Sequence, residues 1–390
     1  MQKRTLGLIT APDYAEEIID DLIDDLPRHL KHYVNNDVTW EIECHVDSWT
    51  GGTNRADRAI EWTKAEMSNK GWDYAITLTD LPLFDGKKPI IAEVHSDEHV
   101  AFISLPGFGF APMKKRVRES ILQMMNEIYY GSSERERKES EQTQECNEKS
   151  NDGIQYQSSK SLIGQRFFEK LSPLERETSN TKNSTHARFT VQSEKKGLLR
   201  IISGMINANR PMKLFKAFLN IVIIAFTTGA YALVFPTIWG LSTHFSTIRA
   251  IVLMLVAILS LVAWIITSNN LWESKVKDEH AFLGKLYNAT TFFTLLLTVV
   301  MYYVLLFVMF MVLTSLLIPP SQAEENMTVS AVNISSYAYT TWIATSLSTI
   351  IGALGSSVNN EDVLLNSTYG YRQQQRQQTT KEIEQEAEND

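Results

Sequence analysis

TTFFTLLLTVVMYYVLLFVMFMVLTSLLI, residues 290–318, contains no Asp, Glu, Lys or Arg. A helix rises about 1.5 Å per residue, so roughly 20 apolar residues cross the about 30 Å hydrocarbon core of a bilayer. Three more charge-free apolar runs lie in the same half of the chain, at 218–241, 250–267 and 337–356. The pattern predicts an all-α four-helix transmembrane domain over 213–358, with the lipid bilayer as its first partner. The mean hydropathy, −0.15, is near zero because a polar first half offsets this apolar second half.

Lysine and arginine in the flanks set an orientation. Lys195, Lys196, Arg200, Arg210, Lys213 and Lys216 precede the first run, Lys275, Lys277 and Lys285 lie between the second and third, and Arg372, Arg376 and Lys381 follow the fourth. The other side carries only Arg249 in its first loop and no basic residue from 319 to 336. This bias predicts cytoplasmic N- and C-termini and an even number of crossings. Met1–Arg4 leads into a strand-like run and an acidic helix rather than a secretory signal, so the first apolar run is expected to direct insertion.

Residues 1–131 read as a cytosolic α/β domain. Strands are expected at 5–10, 38–46, 74–78, 89–94 and 100–105. Helices are expected after Asp13, at 55–69 and at 113–130, with Asp13 and Glu16 as a capping box. The order β-α-β-α-β-β-β-α predicts a Rossmann-like three-layer domain with a mixed, mainly parallel sheet. A ligand would then meet the carboxyl ends of the parallel strands. The loops expected there offer Gly51, Gly52, Thr79, Asp80, Gly107 and Gly109 as cofactor- or ligand-binding candidates. Glycines let a backbone approach a phosphate, and helix N-termini attract anions. The bland alternatives are turn glycines and an aspartate that caps the turn before Pro82. Lys114, Lys115 and Arg116 open the next helix, either as an anion-binding turn or as a solvated face.

Glu93, His95, Asp97, Glu98 and His99 form a second cluster. It can be read as a divalent-metal site or as hairpin-turn chemistry, and the turn is the preferred reading, so no metal is expected. No HExxH, GxSxG or P-loop pattern occurs, and no catalytic set emerges. The net charge of −8, without a dense basic patch, argues against nucleic acid. The two cysteines, Cys44 and Cys146, have neither disulfide nor zinc-finger spacing.

Residues 132–193 are polar and are expected to form a largely disordered linker. Residues 194–212 read as a juxtamembrane helix, either lying amphipathically at the headgroup level or packing on the head. Residues 359–390 form a polar cytosolic tail. In the fourth run Ala344, Ser348, Gly352 and Ser356 recur every four residues, a small-residue ridge that suits either a homo-oligomer seam or packing within the chain.

Several segments resemble a group of uncharacterised multi-pass membrane proteins from Gram-positive bacteria. They are TGAYALVFPTIWGLS at 228–242, LWE at 271–273, LYNAT at 286–290, GALGS at 352–356, YGYRQ at 369–373, DYAITLTDLP at 73–82 and ISLPG at 103–107. The resemblance covers the chain apart from its linker and implies a multi-pass protein of the bacterial plasma membrane. It brings no activity or cofactor. A methylene-tetrahydrofolate dehydrogenase label on some similar chains finds neither its lysine motif nor its proline-rich loop here. Three functions follow as expectations. The first is a cytosolic ligand- or partner-binding head on a membrane anchor. The second is a membrane-bound enzyme for a nucleotide-like or phosphorylated substrate. The third is a small-solute channel or transporter, disfavoured by spans without ionisable residues.

Overall fold

The structure, a computed structural model, describes residues 2–48, 50, 56–110, 112–132, 173–181, 184–272 and 281–355. The chain forms two compact units that divide between Ala208 and Asn209.

The first unit is built on an eight-stranded mixed sheet. Its elements are β1 (Gln2–Thr10), α1 (Tyr14–Asp20), α2 (Leu26–Tyr33), β2 (Val38–Val46), α3 (Ala56–Lys70), β3 (Tyr74–Thr79), β4 (Leu83–Asp85), β5 (Lys88–His95), β6 (Val100–Ser104), α4 (Met113–Tyr130), β7 (Leu174–Thr181), β8 (Ser184–Val191) and α5 (Glu194–Ala208). The order is β2-β1-β3-β6-β5-β8-β7, with β4 paired to β5. The neighbours from β2 to β6 run parallel, and the remaining pairings are antiparallel. Every residue of β3 is buried, as a central strand covered on both faces requires. One core joins α1, α2 and α4 to one sheet face. A smaller core around Ile9, Ile60, Trp72 and Phe102 lies on the α3 face. Gly7 makes room there, because a Cβ would fall 1.9 Å from the Trp72 ring.

Two features depart from the sequence reading. The single helix expected after Asp13 is broken between α1 and α2, because Pro27 lacks the N–H that an unbroken helix would use at that point and restricts the residue before it. Residues 174–181 and 184–191, assigned to the linker, form the β7–β8 hairpin that extends the sheet. Arg176 fastens this hairpin, donating to both carboxylate oxygens of buried Glu127 at 3.1 and 2.8 Å.

The second unit is helical: α6 (Pro211–Phe215), α7 (Leu219–Val234), α8 (Pro236–His244), α9 (Thr247–Ser268), α10 (Ala281–Leu317), α11 (Pro320–Met327) and α12 (Ile334–Gly355). Among the described residues two helices, α9 and α10, are long and apolar enough to cross a membrane. The pair α7 and α8 makes a third if it counts as one span. The run expected to cross straight at 218–241 instead bends by 84° between these two helices. Pro236 stands at the start of α8 and holds Phe235 in an extended conformation (φ −86°, ψ 141°).

Burial in this unit inverts the soluble pattern. Ile223, Val252, Val304, Val308, Val312 and Leu316 are more than half exposed, while Thr290, Thr294, Thr298, Thr314, Thr340, Thr341, Thr345 and Thr349 are at most 1% exposed. The interior hydroxyls bond to their own helices and to each other. Thr345 and Thr349 donate to the carbonyls four residues back at 2.8 Å, and the Tyr303 hydroxyl lies 2.7 Å from Ser346 Oγ. The small-residue ridge packs within the chain. A Cβ on Gly352 would meet Ala225 of α7 at 2.9 Å, and one on Gly229 of α7 would meet Ser348 Oγ at 2.2 Å. Ser356 lies outside the described residues.

Candidate functional site

Strands β2, β1, β3 and β6 end on one edge of the sheet. The chain moves from β1 to β2 on one side and then crosses to β3 on the other, so the order switches direction between β1 and β3. That switch opens a crevice beyond the strand ends in α/β sheets. Asp13 follows β1 with φ +71°, a strained value for a residue with a side chain, and its N–H donates to Glu16 Oε2 at 3.3 Å as half of the capping box. Thr79 ends β3 and Asp80 follows it, and both are fully buried. Thr79 Oγ1 donates to the Thr50 carbonyl at 2.8 Å and accepts the Leu81 N–H at 3.2 Å. Thr50 is held in turn by Asp47 at 2.9 Å. Gly51 and Gly52 lie outside the described residues.

After β6 the chain makes a short 3-10 turn, Leu105–Phe108, whose residues are all buried. Gly107 is required by packing, since a Cβ there would lie 2.7 Å from Ile91. Gly109 is required by its φ of +71°. Arg116, read from sequence as part of a basic surface turn, is 1% exposed and donates to the Phe108 carbonyl at 2.5 Å. Lys114 forms an ion pair with Asp21.

Helix α5 lies across this edge. Its inner face is Gly197, Arg200, Ile201, Gly204, Met205 and Ala208. Arg200 Nε donates to the Gly107 carbonyl at 2.7 Å, Ser203 Oγ accepts the Phe110 N–H at 3.3 Å, and Asn207 donates to the Tyr14 hydroxyl at 3.3 Å. Two glycines seven residues apart let the helix backbone descend. A Cβ on Gly197 would meet Pro89 at 2.9 Å, and one on Gly204 would lie 2.1 Å from the Pro106 carbonyl oxygen. Of the two placements weighed for this segment, its inner face takes the packed one. The edge thus gathers Thr79, Asp80, Gly107 and Gly109, and a helix supplied by the chain itself covers its Gly107–Gly109 part. Buried Asp80, Arg116, Glu119 and Arg200 place ionisable groups of both signs in this region.

The second cluster stays together only in part, with His95 lying 3.1 Å from Glu93 and 3.8 Å from Glu98. Glu93 and His95 share a strand face, but both Glu93 oxygens accept from Arg188 of β8, at 2.9 and 3.2 Å. Burial pushes the Glu93 carboxyl up, yet the hydrogen bonds from His95 and Arg188 outweigh it and hold the group below the ordinary carboxylate value. Residues 96–98 form a turn, and His99, at φ +60°, sets its ring edge-on to Tyr74. Among the described residues no group of three His, Cys, Asp or Glu is placed to hold a metal. His186 stacks on His95 at 5.4 Å, a pairing that sequence reasoning missed. Its signal was legible, since Ala187, Phe189 and Val191 alternate with His186, Arg188 and Thr190, but the polar composition around it masked the strand. No family model, curated protein or solved structure matches this chain.

Proposed function

We propose that the first unit is a cytosolic binding head, anchored by the second unit in the bacterial plasma membrane, and that it takes a small ligand or protein partner at the carboxyl edge of its parallel strands. The observation that carries this reading is the seat of α5. The helix grips the Leu105–Phe108 turn through Arg200 and Gly204. It ends at Ala208, and the next residue begins the helical unit. Anything that displaces the turn or competes with α5 therefore acts on the segment leading into the membrane helices. The head is Rossmann-like in this reading, with its site at the β1/β3 switch.

The helical unit crosses the bilayer four times, with both termini in the cytoplasm. The bent pair α7–α8, then α9, α10 and α12, make the crossings. Helix α12 is less apolar because its Thr and Ser side chains face the bundle, and a helix enclosed by others needs little hydropathy of its own. Their hydroxyls are spent on internal hydrogen bonds, which favours an anchor over a solute path.

The test is a thermal-shift screen of the full chain in nanodiscs against nucleotides, folates, phosphorylated metabolites and divalent cations, with affinity capture of protein partners in parallel. Ligand at a hundred times its Kd stabilises by about 2.7 kcal/mol. A shift that disappears in Asp80→Asn and Thr79→Ala supports the site. A flat screen together with no captured partner sinks the proposal.

A further inference from the structure

Helix α5 has a second face, and its middle is left exposed among the described residues. Leu199 is 69% exposed, and Phe110, whose N–H is held by Ser203 of the same helix, is 58% exposed. Leaving two large apolar side chains in water is unfavourable, and both flank a helix whose inner face is already satisfied by the sheet edge. Lys195 and Lys196 are exposed one turn before Leu199, and Ile202 and Ile206 continue the same stripe at helical spacing, each half-buried.

The charge along this helix is predominantly basic. Helix α5 carries Lys195, Lys196 and Arg200 against a single acidic residue, Glu194, at its first position. Arg200 is turned inward onto Gly107, and Lys195 and Lys196 are the exposed cations of the helix. Exposed apolar side chains beside a pair of lysines match the chemistry of a bilayer interface, where the chains enter the headgroup layer and cations meet anionic phosphates. A free anion would satisfy the lysines but leave Leu199 and Phe110 in water.

We infer that the outer face of α5, made of Lys195, Lys196 and Leu199 together with Phe110, is a docking surface for an anionic phospholipid membrane. The helix is then two-sided, gripping the strand-end turn with one face and lipid headgroups with the other. Membrane charge bears through it on the edge proposed as the binding site. The inference rests on the membrane reading of the helical unit.

The experiment uses the full chain with Cys44→Ser and Cys146→Ser, reconstituted in nanodiscs. Single cysteines are placed by Leu199→Cys, Phe110→Cys, Asn36→Cys or Val308→Cys and carry an environment-sensitive fluorophore. Asn36 is exposed at the opposite, amino edge of the parallel strands, and Val308 is an exposed apolar position of α10. Discs contain phosphatidylcholine alone or with one-third phosphatidylglycerol, and spin labels sit on headgroups or acyl chains. The expected result is headgroup quenching at 199 and 110 at least twofold above that at 36 in the anionic discs. It falls to the level of 36 in zwitterionic discs and after Lys195→Glu with Lys196→Glu. Quenching at 199 and 110 no greater than at 36, with Val308 quenched by acyl-chain labels, overturns the inference and leaves the membrane reading standing. Equal quenching in both disc types overturns the anionic requirement. An unquenched Val308 overturns the membrane reading itself.

Discussion

Gly204 and Pro106 meet backbone to backbone, with the space for a Cβ on Gly204 filled by the Pro106 carbonyl oxygen at 2.1 Å. A side chain there lifts α5 from the turn. Gly204→Val is expected to cost about 1–3 kcal/mol by overpacking. At about 2–4 °C per kcal/mol for a unit of this size, its melting temperature falls measurably. Hydrogen exchange locates the loss, with amides of α5 and the Leu105–Phe108 turn exchanging faster and those of α3 unchanged.

The hairpin depends on a buried ion pair. Arg176 and Glu127 have side chains 8% and 0% exposed. Removing one partner of such a pair leaves a buried charge and costs about 3–5 kcal/mol, whereas replacing both with apolar groups is far milder. Arg176→Ala should detach the β7–β8 hairpin, read as new protease cleavage between residues 173 and 191. Arg176→Met combined with Glu127→Leu should restore protection.

Acid should loosen the same hairpin. Burial lowers the His186 pKa from 6.5, and the adjacent His95 acts in the same direction. A histidine depressed in the folded state contributes stability above its unfolded value and loses it as pH falls through the folded one. Glu93 behaves likewise below 4.5. The melting temperature of the head is therefore expected to start falling below pH 6.5 and to fall further below pH 4.5. His186→Gln flattens the first part of the decline and leaves the second. An unchanged profile in that variant removes the stacked pair as the cause.

In the helical unit the close contact is between α7 and its neighbours. A Cβ on Gly229 would lie 2.1 Å from Phe310 and 2.2 Å from Ser348 Oγ, both buried. Gly229→Leu should cost at least about 1–3 kcal/mol and broaden the size-exclusion peak in detergent. Ile223→Ala, on the exposed face of the same helix, should leave both stability and peak shape near the parent.

Residue pattern alone carried the local elements with the strongest periodicity. Helix α4 spans Met113–Tyr130, as its apolar spacing predicted, and β2 spans Val38–Val46, as its alternation predicted. The charge-free runs at 250–267 and 290–318 likewise announced helices apolar enough for a bilayer, because that signal needs only composition over about 20 residues, whereas the run at 337–356 forms a helix that falls short of it. Asp80 and Gly107 fell on the carboxyl edge because strand order and loop position suffice to place them there.

Tertiary contacts decided the rest. Composition called 174–191 a tether, yet Arg176 on Glu127 and Arg188 on Glu93 bind it into the sheet, through pairings between residues 49 and 95 positions apart. The Gly107 loop, read as open to a ligand, is crossed by α5, a segment of ambiguous amphipathicity until Gly197 and Gly204 find Pro89 and Pro106. The run at 218–241 satisfies a hydropathy window but turns by 84° at Pro236, because hydropathy sums side chains and is blind to a single backbone torsion. Sequence therefore determined what this chain's segments prefer locally. Which faces are spent on one another was decided only by the packed structure, because burial is a property of pairs of surfaces distant in sequence.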